Sequence, residues 1–362
     1  MSSRRLAVAI TTALLVTLGA AACESGNSGG STAGGGKIAL LLPESQTTRY
    51  EQHDRPLFEA KVKELCADCE IIYSNAQQDQ SRQQQQAEAA LNNGAQVLVL
   101  DPVDGAAAAT IVSLAKSKNV PVISYDRLIQ NAPVDYYISF DNERVGQLQG
   151  ETLVNRLKEL GKTSGDIVMI NGSPTDNNAK LFNKGAHSAL DTSGFKTVPT
   201  PDFFTPEWKP ENAQKFMEGQ IAQLGKDGFV GVYAANDGTA GGAISAMRAA
   251  GITPVPPTTG QDAELAAIQR IVGGDQYMTV YKAFKPEADQ AAELAVALLK
   301  GEKPSTDRTV NNGAVDVPSF LLEPQAVTKE NVKQTVVADN LYTVEQICTS
   351  AYSAACKAAG LT

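Results

Sequence analysis

The chain has 362 residues, 43% of them hydrophobic and 6% aromatic, with a formal net charge of −9. That length is enough for two ordinary domains with a sizeable core. The acidic balance argues against polyanionic partners, whether nucleic acid or an anionic membrane surface.

The first stretch, MSSRRLAVAITTALLVTLGAAAC, has a basic start at Arg4 and Arg5, an apolar run from Leu6, and small residues before Cys23. This order reads as a secretory signal over residues 1–22, and the run is short for a bilayer crossing. A cysteine directly after GAAA is similar to a bacterial lipobox, in which Cys23 is lipidated and becomes the first residue. Ala20 stands where that motif usually has leucine, and plain cleavage near Ala22 is the alternative. Gly and Ser dominate residues 24–36, which read as a flexible tether of roughly 20 Å reach. No later segment is long and apolar enough to span a membrane.

From Lys37 the chain alternates. KIALLLP, EIIYSNA, AQVLVLDP, PVISYD, YYISFD, DIVMING, FVGVYAAND and YMTVY read as buried strands. Between them lie stretches with helical spacing, such as RQQQQAEAALNNG, AAAATIVSLAKSKN and PEADQAAELAVALLKG. The run of glutamines is a solvated helix face rather than a low-complexity tract. Strand and helix in repeated alternation predict an open α/β sheet with right-handed crossovers.

The strands end in polar groups: Asn75, Asp101, Asp126–Arg127, Asp141–Asn142, Asn171, Asn236–Asp237, Gln261–Asp262 and Lys282. Any one of these reads as a turn residue. Together they point to a ligand cleft, because open α/β sheets bind ligands beyond the carboxyl ends of their strands.

Catalytic and cofactor motifs are missing from this framework. The first strand runs into LLLPESQ rather than a GxGxxG turn, and there is no P-loop or GxSxG elbow. Two histidines, His53 and His187, offer little for a catalytic triad. The aspartates sit beside Arg, Asn and Gln, which keep a carboxylate ionised and suit it to holding hydroxyls. The reading is of a binder that is not an enzyme and uses no cofactor or metal.

Beyond Cys23 there are Cys66, Cys69, Cys348 and Cys356, and an exported chain with an even number predicts disulfides. Of three connectivities, the near-neighbour pairs Cys66–Cys69 and Cys348–Cys356 are favoured. CADC follows a helical stretch, not a helix start where a reactive thiolate would be stabilised, which argues against a redox role.

Long strings carry a family resemblance: SYDRLI, DYYISFDNERVGQLQ, GSPTDNNAKLF, EWKPENAQK, ANDGTAGGAI, GQDAELAAIQRI, MTVYK and NNGAVDVPS. From about Lys37 to Asn340 the chain resembles periplasmic sugar-binding proteins of ABC transporters, of the ribose- and galactose-binding type. The resemblance implies two Rossmann-like lobes with parallel sheets, the type I fold, joined by a three-segment hinge. It implies lobe one over residues 37–142 and 283–314, lobe two over 143–281 and 315–340, and a tail over 341–362. The crossings would fall near Asn142, Lys282 and Gly313.

It also implies a monosaccharide ligand, D-xylose first, with glucose, arabinose and galactose as alternatives. The partner would be an ABC permease in the membrane, or a membrane sensor receiving the loaded protein, and the chain would act as a monomer. Arg49 would donate to hydroxyls and Tyr50 would form an aromatic wall, although the family's xylose binders usually carry tryptophan there. Asp126, Arg127, Asn178, Trp208, Asn236, Asp262 and Lys282 carry over as ligand-binding residues. Planar Asp, Asn and Arg groups can engage adjacent hydroxyls in pairs, and an aromatic ring can lie on the C–H face of a pyranose. Trp208, the single tryptophan, could instead be a packing anchor, and Asp262 could instead cap a helix.

Overall fold

The computed structural model describes residues 35–306 and 308–361. The expected signal segment, Cys23 and all but the end of the tether lie outside the described residues.

Five strands build the core of the first lobe: β1 (Lys37–Leu42), β2 (Glu70–Asn75), β3 (Val97–Leu100), β4 (Val122–Tyr125) and β5 (Tyr136–Phe140). All are parallel neighbours, in the order β2-β1-β3-β4-β5. Because successive side chains in a strand face opposite ways, β1 feeds two cores. Ile38, Leu40 and Leu42 meet Phe58 and Val62 of α1 (Arg55–Leu65) and Ala288, Ala291 and Leu294 of α9 (Phe284–Leu299). Ala39 and Leu41 face the other side, toward Ala87 and Leu91 of α2 (Gln80–Asn92) and Ile111 and Val112 of α3 (Ala109–Ser117). A sheet covered on both faces needs apolar residues at every position, which explains the continuous runs in the sequence.

The second lobe repeats the plan. Its parallel strands are β6 (Asp166–Asn171), β7 (Lys196–Phe204) and β8 (Gly231–Ala234), in the order β7-β6-β8. Bridges Val232–Thr258 and Gln261–Val280 carry the sheet on to β9 (Met278–Tyr281), which pairs antiparallel with β12 (Gln325–Thr328). Ile167 and Met169 pack against α4 (Asn142–Glu159) and α5 (Asn177–Leu190). Val168 and Ile170 pack against α6 (Pro210–Leu224) and α7 (Asp237–Ala249). The tail, including α10 (Val344–Ile347) and α11 (Ser353–Ala358), is buried against α8 (Leu265–Gly273) through Ile347, Cys356 and Leu361. The disulfides are Cys66–Cys69 and Cys348–Cys356, the favoured near-neighbour pairs.

Three connections join the two sheets. β5 hands over to α4 at Asp141–Asn142, with Asp141 capping the helix at Arg144 N, 3.0 Å. β9 hands back to α9 at Lys282–Ala283. The third differs from the expected crossing near Gly313. β10 (Arg308–Asn311) and β11 (Asp316–Leu322) extend the first sheet, with Ser319 opposite Tyr137 and Leu322 opposite Phe140. The chain therefore leaves the first lobe at Glu323–Pro324, and residues 315–322 pair with lobe one. The backbone hydrogen bonds of β11 to β5 hold it there. Among the described residues no helix is long and apolar enough to cross a membrane.

Candidate functional site

The carboxyl ends of both sheets face each other and bring Thr47, Tyr50, Asp126, Arg127, Asp176, Asn178, Phe182, Trp208, Asn236, Gln261, Asp262 and Lys282 around one small cavity. Both sheets follow the doubly wound order in which ligands sit beyond the strand ends. Three cavity residues have a left-handed backbone: Asp126 at φ 52°, Trp208 at φ 56° and Asp262 at φ 88°. Such conformations cost about 1–3 kcal/mol each for non-glycine residues and cluster at ligand sites. Asp126 is held in place by its backbone carbonyl, which accepts from Ser139 Oγ at 2.7 Å and Asn178 Nδ2 at 3.0 Å.

Asp126 is the centre of the charge network. Its Oδ1 faces Arg49 Nη1 and Lys282 Nζ, both at 3.3 Å, and its Oδ2 accepts from the Tyr50 hydroxyl at 2.8 Å. Burial alone would raise its pKa, but Lys282, Arg49 and Arg127 outweigh burial and hold it below the ordinary carboxylate range. It is a committed acceptor. Lys282 Nζ also lies 3.4 Å from Asp262 Oδ1, so one cation at a crossing ties an acid of each lobe. Burial opposes the Lys282 charge, and the two aspartates more than restore it, raising its pKa.

Arg49 sits behind this layer. Its Nε and Nη2 bind Asp54 at 2.8 and 2.6 Å, and Nη2 also meets Glu287. It is not among the residues lining the cavity, and its Nη1 holds Asp126 Oδ1 at 3.3 Å from behind. Tyr50 does line the cavity, with its hydroxyl spent on Asp126.

Arg127 is flanked by Glu44 (Nη2–Oε1, 3.4 Å) and Asp101 (Nε–Oδ1, 3.6 Å) of its own lobe and by Asp176 (Nε–Oδ2, 3.1 Å) of the other. Its buried Nε and Nη1 have no hydrogen-bond partner within the protein, Nε meeting Asp176 and Asp101 as ion-pair contacts only; Gln261 Oε1 has none either, and Asp262 Oδ1 has no hydrogen bond beyond the Lys282 ammonium at 3.4 Å. Buried polar groups are almost always satisfied, so Arg127 Nη1, Gln261 Oε1 and Asp262 Oδ1 present a donor and two acceptors to whatever fills the cavity.

The second lobe supplies the aromatic surface. Trp208 packs on Gly172, where a methyl group would fall 1.9 Å from the indole, and meets Phe182 edge-on at 6.4 Å. Its Nε1 donates to Asp176 Oδ2 at 3.1 Å. Asn236 reaches the cavity while its Oδ1 caps α7 at Thr239 N, 2.9 Å. Asp237 points the other way, accepting from Gln276, Thr279 and the Glu264 amide. Asp262 is not a helix cap: the N-cap of α8 is Glu264. Asn177 binds Gln130 across the cleft at 2.7 Å and stays outside the cavity.

Sequence reasoning missed Thr47, Asp176, Phe182 and Gln261 among the lining residues. Asp176 and Phe182 lay inside a quoted motif, GSPTDNNAKLF, and Gln261 inside a quoted strand end. Thr47 carried no signal beyond its place after β1.

Two doubly wound lobes closing a polar cleft at their strand ends define a type I periplasmic binding protein. The family described as periplasmic binding protein domain matches residues 38–303, and the chain belongs to that family. It is 42% identical over 314 residues to the D-xylose-binding periplasmic protein of Haemophilus influenzae, covering 86% of this chain and 92% of that one. The D-xylose-binding periplasmic protein of Escherichia coli is 41% identical over 310 residues, covering 84% and 91%. A solved ABC transporter solute-binding protein from Clostridium phytofermentans, with bound β-D-glucose, aligns at a TM-score of 0.80 and 32% identity, covering 86% of this chain and 99% of that one.

Proposed function

We propose that this chain is an exported solute-binding protein of an ABC importer, tethered by a lipid on Cys23, that encloses one monosaccharide between its lobes and delivers it to a permease. D-xylose is the leading ligand. The observation that carries the reading is the pairing of Trp208 with convergent buried polar groups whose free valences face a small cavity. An indole suits the C–H face of a pyranose, and Arg127, Asn236, Gln261 and Asp262 suit its hydroxyl rim. The two relatives above 40% identity, both D-xylose-binding proteins by name, support the pentose. A rim of this kind mostly discriminates, because a missing or inverted hydroxyl leaves a buried group unpaired.

Calorimetry with D-xylose, D-glucose, L-arabinose and D-galactose tests this. D-xylose should be among the tightest, with a Kd around micromolar, roughly −8 kcal/mol. Binding of a hexose alone would retain the class and overturn the pentose. Binding of none would overturn the reading.

A further inference from the structure

We propose that Asp176 is a positioning residue of this site: one carboxylate oxygen sets both the Trp208 ring in its own lobe and the Arg127 guanidinium in the other. Lobe closure and the stacking surface are thereby coupled. The proposal rests on the monosaccharide reading above.

Asp176 is the N-cap of α5, and its Oδ1 accepts from the Asn178 amide at 2.8 Å. Its Oδ2 is left to face inward, 3.1 Å from Trp208 Nε1 and 3.1 Å from Arg127 Nε. The three side chains are each about 3% exposed, so the pair and the hydrogen bond are shielded from water and weigh more than surface contacts do.

The surrounding segment seats this oxygen across the cleft. Gly105 N donates to Thr175 O at 3.1 Å, Thr175 Oγ1 to Val103 O at 3.2 Å, and Asn178 Nδ2 to Asp126 O at 3.0 Å. Residues 175–178 are thus the seam along which lobe two meets lobe one. Within that seam Asp176 alone is charged, and it is also the residue that holds the indole. Glu44 and Asp101 stay with Arg127 as members of the same lobe. Asp176 is the carboxylate beside Arg127 that comes from the other lobe. When the lobes meet, Asp176 Oδ2 stands 3.1 Å from Arg127 Nε as an ion-pair partner, while Nε and Nη1 both lack a hydrogen bond within the protein and Nη1 is the donor offered to the sugar. A ring held by the same oxygen is then in register with that donor.

Asp176→Asn separates this role from that of the cap. Asn is as good an N-cap as Asp, so its Oδ1 can keep the Asn178 amide. Its amide NH2 then replaces Oδ2, facing the Trp208 and Arg127 donors with another donor. Asp176→Ser is the companion variant; it retains a capping oxygen and reaches neither partner. In wild type and both variants, affinity for the four-sugar panel is measured by calorimetry. Dissociation rates follow from stopped-flow emission of Trp208, the single tryptophan, and unfolding midpoints are measured without sugar. Both variants should bind the wild type's preferred sugar at least about tenfold more weakly, the scale of losing a buried charge partner at an interface. The loss should lie in faster dissociation and should exceed any change in the ligand-free midpoint. A double-mutant cycle with Arg127→Ala should show losses smaller than the sum of the singles. Variants that bind as tightly as wild type, or losses that simply add with Arg127→Ala, would overturn the proposal. So would a lowered midpoint with affinity retained. A wild type that binds no sugar of the panel would instead overturn the monosaccharide reading, and this proposal with it.

Discussion

Asp126 shows how much a single residue at a strand end can carry. It sits at φ 52°, beyond β4, and serves Arg49, Lys282 and Tyr50 at once. Asp126→Ala removes the acceptor proposed for the sugar, and it also leaves two buried cations, Arg49 and Lys282, short of a partner. It should therefore lower stability by about 3–5 kcal/mol, the usual cost of breaking a buried pair. Asp126→Asn keeps the shape and loses the charge. It should weaken sugar binding by about 10- to 100-fold, from roughly 1.5–3 kcal/mol per hydrogen bond to a charged group, with a smaller loss of stability than alanine. Denaturant titration and calorimetry on both variants would show this; asparagine binding at wild-type strength would refute the acceptor role. The strand-end residues of the site were readable because the apolar-to-polar change marks where a buried strand meets the cleft. Asp54 and Glu287 were not. Glu287 lies in a helix that reads as PEADQ, like any solvated turn, yet it is fully buried against Arg49. Only the packing of α9 on the Arg49 turn brings them together, and no local pattern encodes that.

At the scale of elements, α4 and α5 cross with their backbones nearly touching. A methyl group on Gly146 would lie 1.9 Å from Phe182 O, and one on Gly185 would lie 1.9 Å from Glu143 O. Phe182 both lines the cavity and meets Trp208, so this crossing sets the depth of the aromatic surface. Gly146→Ala must push α5 away. It should destabilise by at least about 1–3 kcal/mol, as overpacking does, and weaken sugar binding as well. At Gly219, within α6, a methyl group would meet nothing within 4 Å. Gly219→Ala should stabilise by about 0.4–1 kcal/mol by restricting the unfolded chain and leave binding alone. Thermal melts with and without sugar separate the two, and equal behaviour would rule out the close crossing. The eight strands read from sequence are all present. The four missed are β7, β10, β11 and β12, and the reasons are local. Pro199 and Pro201 interrupt β7, Pro318 interrupts β11, and β10 and β12 have four residues each. Without β11, nothing in the sequence pattern carried the first lobe past Gly313 to Glu323.

The molecule as a whole is two copies of one sheet order facing each other, and its buried acids lie where the copies meet or where a lobe is stitched internally. Several are buried with too few cations. Glu287 is pushed up to about 8 by burial, against the pull of Arg49, and Asp237 to about 7 by burial, against Arg270. A carboxyl whose folded pKa lies above its unfolded value binds its proton more tightly when folded. Its contribution is fully present below the unfolded value, near 4.5 for Glu287, and is lost as pH rises through about 8. The unfolding midpoint of the wild type should thus fall between pH 5 and pH 8.5. Glu287→Gln cannot ionise, and its side-chain oxygen can still accept from Arg49, so it should flatten part of that fall while Asp237 and Glu264, the latter also pushed up to about 8 by burial, retain the rest. Melting curves at half-unit pH steps, in the absence of sugar, measure the slope directly. An unchanged slope in Glu287→Gln would mean that Glu287 is already ionised in the folded chain, with Arg49 shared among three full negative charges.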